Sequence, residues 1–119
     1  MPTAASPTPL SDAEFRERAG AVLAGIEARV DLWLQNDVID IDANRTGGML
    51  ELSFPDRSKI VINTQPPLQE LWLAARRGGF HFKHVEGVWR DTRSGGIFHA
   101  VLSDCASEQG GKALTFAAG

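Results

Sequence analysis

Hydrophobic residues recur at helical spacing near both ends of the chain and alternate with polar residues in between. The first stretch carries one apolar stripe at intervals of three and four residues: Phe15, Ala19, Val22, Ile26, Val30 and Trp33. Ser11, with Glu14 three residues later, forms the capping box that begins a helix. The polar run from Gln35 to Asp37 follows the last apolar residue, Leu34. The pattern therefore predicts a first helix over residues 11–34.

Three short runs after this helix predict an antiparallel meander. In the first run, Ile39 and Ile41 alternate with Asp40 and Asp42, so two carboxylates would share the solvent face of a strand. The second run alternates in the same way, and the third is β-branched, as is typical of the middle of a sheet. The predicted strands lie within residues 38–44, 49–54 and 59–63, with a turn at 44–48 (NRTGG).

The last third of the chain repeats the strand pattern and closes with a second helical stripe. Strands are predicted over residues 80–85 and 88–92, and the helix that follows carries the stripe Phe98, Val101, Leu102 and Cys105. Residues 112–116 (KALTF) fit either a final short strand or a tail packed on the helices. A helix, a run of strands and a second helix predict the α+β class, with both helices on one face of an antiparallel sheet.

The segment LQELWLAA, residues 68–75, fits two different elements. Helical spacing relates Leu68, Leu71, Trp72 and Ala75. Strand alternation instead places Leu71 and Leu73 on one face and Trp72 on the other. In a helix Trp72 would belong to the core, whereas in a strand it would be a large aromatic turned away from the leucines. The pattern alone leaves both open.

Composition and charge narrow the class of protein. A chain of 119 residues with 43% hydrophobic and 23% charged residues is typical of one globular domain. We expect a disordered lead-in over the proline-containing residues 1–10, a domain over 11–119, no signal peptide and no membrane span. The single cysteine, Cys105, lies in an apolar stripe, which predicts a buried thiol and a cytoplasmic protein.

The charge is unevenly distributed and favours a cationic ligand over nucleic acid. The net charge is -3, yet residues 1–54 hold nine acidic and four basic side chains, against six and eight in residues 55–119. Nucleic-acid phosphates require Lys and Arg, so the acidic half disfavours such a partner. It suits cations or a basic protein, and it also fits a merely solvated face.

Five carboxylates define a candidate site that we call the acidic ridge: Glu27, Asp31, Asp37, Asp40 and Asp42. Glu27 and Asp31 are i, i+4 on the first helix and lie off its apolar stripe. If that helix and the first strand are neighbours at the sheet edge, the five side chains come together. Exposed oxygen ligands of this kind bind iron or divalent cations weakly and leave several waters in place. They equally suit the arginines of a partner, or an edge that repels other strands.

No catalytic arrangement is visible in the sequence. There is no glycine-rich phosphate loop, nucleophile elbow or paired-cysteine zinc spacing. His81, His84 and His99 lack the helical pairing of a zinc protease, and the first two would point to opposite faces of a strand. The sequence therefore predicts a protein that is not an enzyme.

The run SKIVINTQPPLQELWLAARRGGFHF, followed by GVWRDTRSGG, resembles the bacterial frataxins of the CyaY type. The resemblance rests on the motifs Ile62-Asn63, Gln65, Pro67-Leu68, Trp72-Leu73-Ala74, Gly78-Gly79, His81-Phe82, Trp89 and Arg93-Ser94-Gly95, and it covers residues 11–116. It implies a two-layer sandwich, with N- and C-terminal helices packed on a twisted antiparallel sheet of five to seven strands. It also implies that LQELWLAA is a strand, with Trp72 beside Asn63 and Gln65 on the face away from the helices.

The same resemblance implies a function in iron–sulfur cluster assembly. Frataxins of this type bind iron weakly through the acidic ridge, and they bind the cysteine desulfurase and its scaffold protein, here through Asn63, Gln65 and Trp72. Regulation of the desulfurase would depend on iron, as a brake in bacteria, with iron delivery as a second role. The expected state is a monomer, with iron-induced oligomers left open.

This chain departs from the family in one region. Neutral residues occupy positions that are often acidic in bacterial frataxins: Ala28, Leu32, Leu34, Asn36 and Val38. Fewer carboxylates predict weaker multi-site iron loading. Two alternatives remain: an iron-oxidising or iron-storage enzyme, for which no Glu-x-x-His pair stands on either helix, and a haem protein with one of the three histidines as axial ligand.

Overall fold

Residues 9–118 are described in the computed structural model, and they form two helices and six strands. The helices are α1, Asp12–Gln35, and α2, Phe98–Gly110. The strands are β1, Asp42–Thr46; β2, Met49–Ser53; β3, Lys59–Gln65; β4, Glu70–Ala75; β5, Gly78–Val85; and β6, Val88–Asp91. A short 3-10 turn, Pro66–Leu68, joins β3 to β4. Residues 1–8, which are most of the segment predicted to be disordered, lie outside the described range. In the rest of that segment, the backbone N–H of Leu10 donates a hydrogen bond to Oε1 of Gln69 at 3.1 Å.

The six strands form one antiparallel sheet in chain order, and the two helices pack on one face of it. Fully buried side chains fill the space between the layers. The sheet contributes Leu50, Leu52, Ile60, Ile62, Leu71, Leu73 and Phe82, and the helices contribute Phe15, Leu23, Ile26, Phe98 and Leu102. The predicted α+β class and two-layer architecture are therefore confirmed. The second layer is needed because one face of the sheet is apolar and must be buried.

The start of α1 follows from local chemistry. Ser11 Oγ accepts a hydrogen bond from the Glu14 backbone N–H at 3.1 Å, and Glu14 Oε1 accepts one from the Ser11 backbone N–H at 3.0 Å. These bonds satisfy two amides that a helix end leaves without partners. The whole predicted apolar stripe of α1 is buried, together with Leu23.

The first strand was predicted over residues 38–44, which is too early in the chain. Residues 38–41 only approach the sheet, and β1 begins at Asp42 and runs through most of the predicted turn. The turn itself is reduced to two glycines, with Gly47 at φ +58°, as tight hairpins require. Ile41 is buried and Ile39 packs against the core, so their spacing reflects burial of a connecting segment. All five residues of β1 are exposed, so no alternation marks the strand.

Packing decides the structure of the two segments whose sequence fits more than one element, residues 68–75 and 112–116. LQELWLAA contributes β4, with Leu71 and Leu73 buried on the helix side. Residues 112–118 form no strand; Leu114 and Phe116 are buried instead. The backbone N–H groups of these two residues donate to the hydroxyls of Ser107 (2.9 Å) and Ser103 (2.8 Å) on α2. Within residues 9–118, no helix is long and apolar enough to cross a membrane.

Candidate functional site

A row of four side chains crosses the sheet face that points away from the helices, which we call the outer face. Direct cross-strand pairing places Met49 opposite Asn63, Asn63 opposite Trp72, and Trp72 opposite His81. Residues directly opposite in an antiparallel pair share a face and have adjacent side chains. The strand interpretation of Trp72 is therefore confirmed: its neighbours Leu71 and Leu73 are buried beneath the helices, and Trp72 is half-buried on the outer face.

The indole of Trp72 is fixed by two contacts. Its Nε1–H donates a hydrogen bond of 2.7 Å to Oε1 of Glu70. Its ring stacks on the imidazole of His81, with centroids 4.3 Å apart and planes inclined by 6°. One ring face is thus covered by His81, and the polar edge is satisfied by a carboxylate. Trp72 combines a large apolar surface with a defined orientation, as aromatic residues at interfaces do.

Glu70 is the residue that sequence reasoning missed. Its carboxylate is nearly buried, with 11% side-chain exposure, and it lies 3.1 Å from Lys83 Nζ and 3.7 Å from His81 Nδ1. Burial by itself would raise the pKa of Glu70, but the hydrogen bonds from Trp72 and Lys83 outweigh it and hold that pKa below 4.5. The available signal was its i, i+2 relation to Trp72, which puts both on one face of a strand.

A second row lies beside the first on the outer face. Pairing places Gln65 opposite Glu70, Glu70 opposite Lys83, and Lys83 opposite Arg90. The three residues predicted as a contact surface, Asn63, Gln65 and Trp72, thus occupy adjacent positions in two neighbouring rows. The predicted juxtaposition is present.

The members of the acidic ridge lie along α1, the connector and the start of β1. Arg45 of β1 donates to Glu27 of α1 at 3.0 Å, so helix and strand are neighbours as expected. Asp31 accepts a bond of 2.8 Å from Gln35 on its own helix. Asp37 has a left-handed backbone, with φ +55°, where α1 ends. Asp37, Asp40 and Asp42 are exposed.

The ridge is not a preformed chelating site. Among residues 9–118, no group of three or more His, Cys, Asp or Glu side chains is arranged to hold a metal ion. Exposed carboxylates that form no such group suit a cation that keeps most of its water, as Mg²⁺ often does in proteins. One of the five, Glu27, already has a guanidinium partner.

The remaining reactive side chains lie in the core or at its edge. Cys105 is buried as predicted, and desolvation raises the pKa of its thiol. His84 is buried on the opposite face from His81, and its Nδ1 has no hydrogen-bond partner among residues 9–118. Burial lowers the pKa of both His84 and His99. The three histidines therefore occupy three different environments.

Comparison with known proteins identifies the family. The family model of the frataxin-like domain matches residues 8–112. The iron-sulfur cluster assembly protein CyaY of Burkholderia mallei is 48% identical over 109 residues, which is 92% of this chain and 100% of that protein. The frataxin of Psychromonas ingrahamii superposes with a TM-score of 0.80 at 31% identity, over 92% of this chain and all of the other.

A more distant structure supports the fold alone. Yeast frataxin matches with a TM-score of 0.70 at 23% identity, over 92% of this chain and 94% of that chain. The region matched by the family model, residues 8–112, includes both helices and all six strands. The chain belongs to the frataxin-like family and resembles its bacterial CyaY members.

Proposed function

We propose that this protein is a non-enzymatic, iron-binding regulator of iron–sulfur cluster assembly in the cytoplasm. It binds a cysteine desulfurase and its scaffold protein, and iron alters the effect of that binding on the desulfurase. The observation that carries the proposal is the row Asn63–Trp72–His81, which displays an oriented aromatic on a sheet face that neither helix of residues 9–118 covers. The name of the Burkholderia relative supports the assembly pathway.

The outer face has the chemistry of a protein contact. Trp72 is a half-buried, rigidly held aromatic, and Asn63 beside it adds an amide that can both donate and accept. Aromatic residues in such positions tend to supply much of the binding energy of an interface. Met49, which is 37% exposed, extends the same row by a flexible apolar side chain.

The acidic ridge supplies the response to iron, which is cargo or effector here. Asp31, Asp40 and Asp42 are exposed carboxylates at one side of the molecule, at the edge where α1 meets β1. Because they form no chelating cluster, iron bound there retains water and exchanges readily. The same negative charge attracts a basic partner surface, so iron bound at the ridge alters the contact with that partner. The protein is proposed to be a monomer that iron can assemble into oligomers.

Two charge-matched variants test the role of the ridge. Asp40→Asn with Asp42→Asn removes two ridge carboxylates, and Glu17→Gln with Asp104→Asn removes two exposed carboxylates elsewhere. We expect the ridge variant alone to lose the NMR shifts induced by ferrous iron and to bind the desulfurase more weakly. Equal losses in both variants would show a general charge effect, and unchanged binding in the ridge variant would overturn the ridge's role.

The alternative function is an iron-oxidising or iron-storing enzyme. Such an enzyme holds two iron ions on closely spaced carboxylates, usually with a histidine. The described residues offer no group of this kind. Anaerobic loading with ferrous iron, followed by an oxygen-electrode measurement, separates the two functions, since only the enzyme accelerates oxygen consumption above that of ferrous iron alone over many turnovers.

A further inference from the structure

Glu70 makes more polar contacts than any other outer-face carboxylate near Trp72. Its Oε1 accepts the indole N–H of Trp72 at 2.7 Å, and its Oε2 lies 3.1 Å from Lys83 Nζ. The same Lys83 ammonium donates to the carbonyl of Leu68 at 3.0 Å, which ties the carboxylate to the turn before β4. The carboxylate therefore links the indole to β5 and to the 3-10 turn.

We infer that Glu70 is a positioning residue, whose ionised carboxylate fixes the indole of Trp72 in the stacked orientation that the protein partner contacts. This inference rests on the proposed function, because it assumes that Trp72 is a contact residue. It assigns to Glu70 an indirect role: the partner touches Trp72, and Glu70 determines where Trp72 is found.

Burial argues against a direct contact between Glu70 and the partner. Only 11% of its side chain is exposed, and its charge is already balanced by Lys83. With so little of its surface exposed, this carboxylate is poorly accessible to a partner cation. Trp72, in contrast, keeps one ring face free of His81, because the two rings stack on a single side.

The charge on Glu70 strengthens its hold on the indole. A hydrogen bond to an ionised acceptor is stronger than one to a neutral acceptor. The groups that face this carboxylate are Trp72 on its own strand, His81 and Lys83 on β5, and Gln65 on β3. The pKa of Glu70 lies below 4.5, so the carboxylate is ionised at neutral pH.

A double-mutant cycle between Glu70 and Trp72 tests the inference. Glu70→Ala should weaken binding of the purified desulfurase–scaffold complex about tenfold, and Glu70→Gln, which keeps a neutral acceptor, about threefold. In the background of Trp72→Ala, the further change Glu70→Ala should have almost no effect, because no indole remains to be positioned. Glu51→Gln is the matched control, since Glu51 lies on the same face but pairs with Lys59.

An NMR measurement reports on the same contact without any partner. The indole Nε1–H resonance of Trp72, assigned by its loss in Trp72→Phe, should move as Glu70 titrates below pH 4.5. That movement should vanish in Glu70→Gln and persist in Glu51→Gln. A resonance that titrates identically in all three proteins would overturn the positioning role.

The outcomes separate this inference from the proposed function. Additive losses in the cycle would mean that Glu70 touches the partner itself, and full affinity in Glu70→Ala would mean that Trp72 needs no positioning; either result overturns the inference and leaves the proposed function standing. Full affinity in Trp72→Ala would overturn the proposed contact surface, and the inference with it.

Discussion

Arg45 on β1 donates a hydrogen bond from Nη1 to Oε1 of Glu27 on α1, across 3.0 Å and 18 residues of sequence. Both side chains are about one-third exposed, at 35% each. The pair joins the helix to the edge strand at the acidic ridge. It also places a guanidinium beside one of the carboxylates proposed to bind iron, so under the proposed function Arg45 and the metal would compete for Glu27.

Removing this guanidinium should increase the affinity of the ridge for iron. In Arg45→Gln, Glu27 loses its competing cation and the local negative charge rises, so ferrous iron should bind more tightly under anaerobic conditions. The free energy of unfolding should fall by only about 0.2–1 kcal/mol, because partly exposed ion pairs contribute little. NMR titration and urea unfolding measure the two quantities. An unchanged iron affinity would place the metal away from Glu27.

Trp72 should matter more for binding than for stability. Trp72→Ala removes a half-buried ring and one hydrogen bond to an ionised carboxylate, and should cost about 2 kcal/mol of the free energy of unfolding. Trp33→Ala is the control, because Trp33 is 8% exposed and packs edge-on against Phe116 at 4.9 Å. That change should cost about 3–5 kcal/mol. Comparable losses in thermal or urea unfolding would make Trp72 a core residue.

Stability should fall as the pH is lowered through the histidine range. His84 is buried, with an unpartnered Nδ1, and burial lowers its pKa below 6.5. Below that pH the unfolded chain binds a proton that the native protein resists, so the free energy of unfolding decreases. Urea unfolding between about pH 7.5 and about pH 5.5 measures the slope.

Substitution of His84 tests whether this residue causes the pH dependence of the free energy of unfolding. His84→Gln should reduce it, although His99, whose pKa burial also lowers, contributes with the same sign. His81→Gln is the control on the exposed outer face. A slope that His84→Gln leaves unchanged would show that His84 is protonated equally in the native and unfolded states.

Cys105 should be unreactive in the native protein. The thiol is buried among apolar residues and desolvation raises its pKa, which suppresses the nucleophilic thiolate. We expect slow labelling by a thiol reagent in buffer and rapid labelling in denaturant. Rapid labelling of the folded protein would indicate that α2 opens locally.

The elements marked by local chemistry or by alternating polarity were predictable from sequence, whereas β1, which only strand pairing defines, was not. The capping box and apolar stripe of α1 act within a few residues, so the sequence contains them completely. β1 is held by backbone pairing to β2 and exposes every side chain, so no alternation of polarity marks it. The alternation of Ile39 and Ile41 came from burial of the connector instead.

The candidate site was also only partly predictable from the sequence. Periodicity could not decide between helix and strand around Trp72; family resemblance could, and the register of β3, β4 and β5 then set its neighbours. Glu70 escaped notice because a glutamate in a strand is ordinarily solvated. The pairing of Glu27 with Arg45 depends on the turn at Gly47, where β1 ends, because this turn sets the register of β1 against β2 and so which β1 residue faces α1.

The most direct test of the central claim is the rate of sulfide release by the cysteine desulfurase with its scaffold protein, measured across ferrous iron concentrations with and without this protein. The account predicts that adding the protein changes the rate to an extent that grows with iron, and that Trp72→Ala abolishes the change while remaining folded. A rate that is the same with and without the protein at every iron concentration would contradict it.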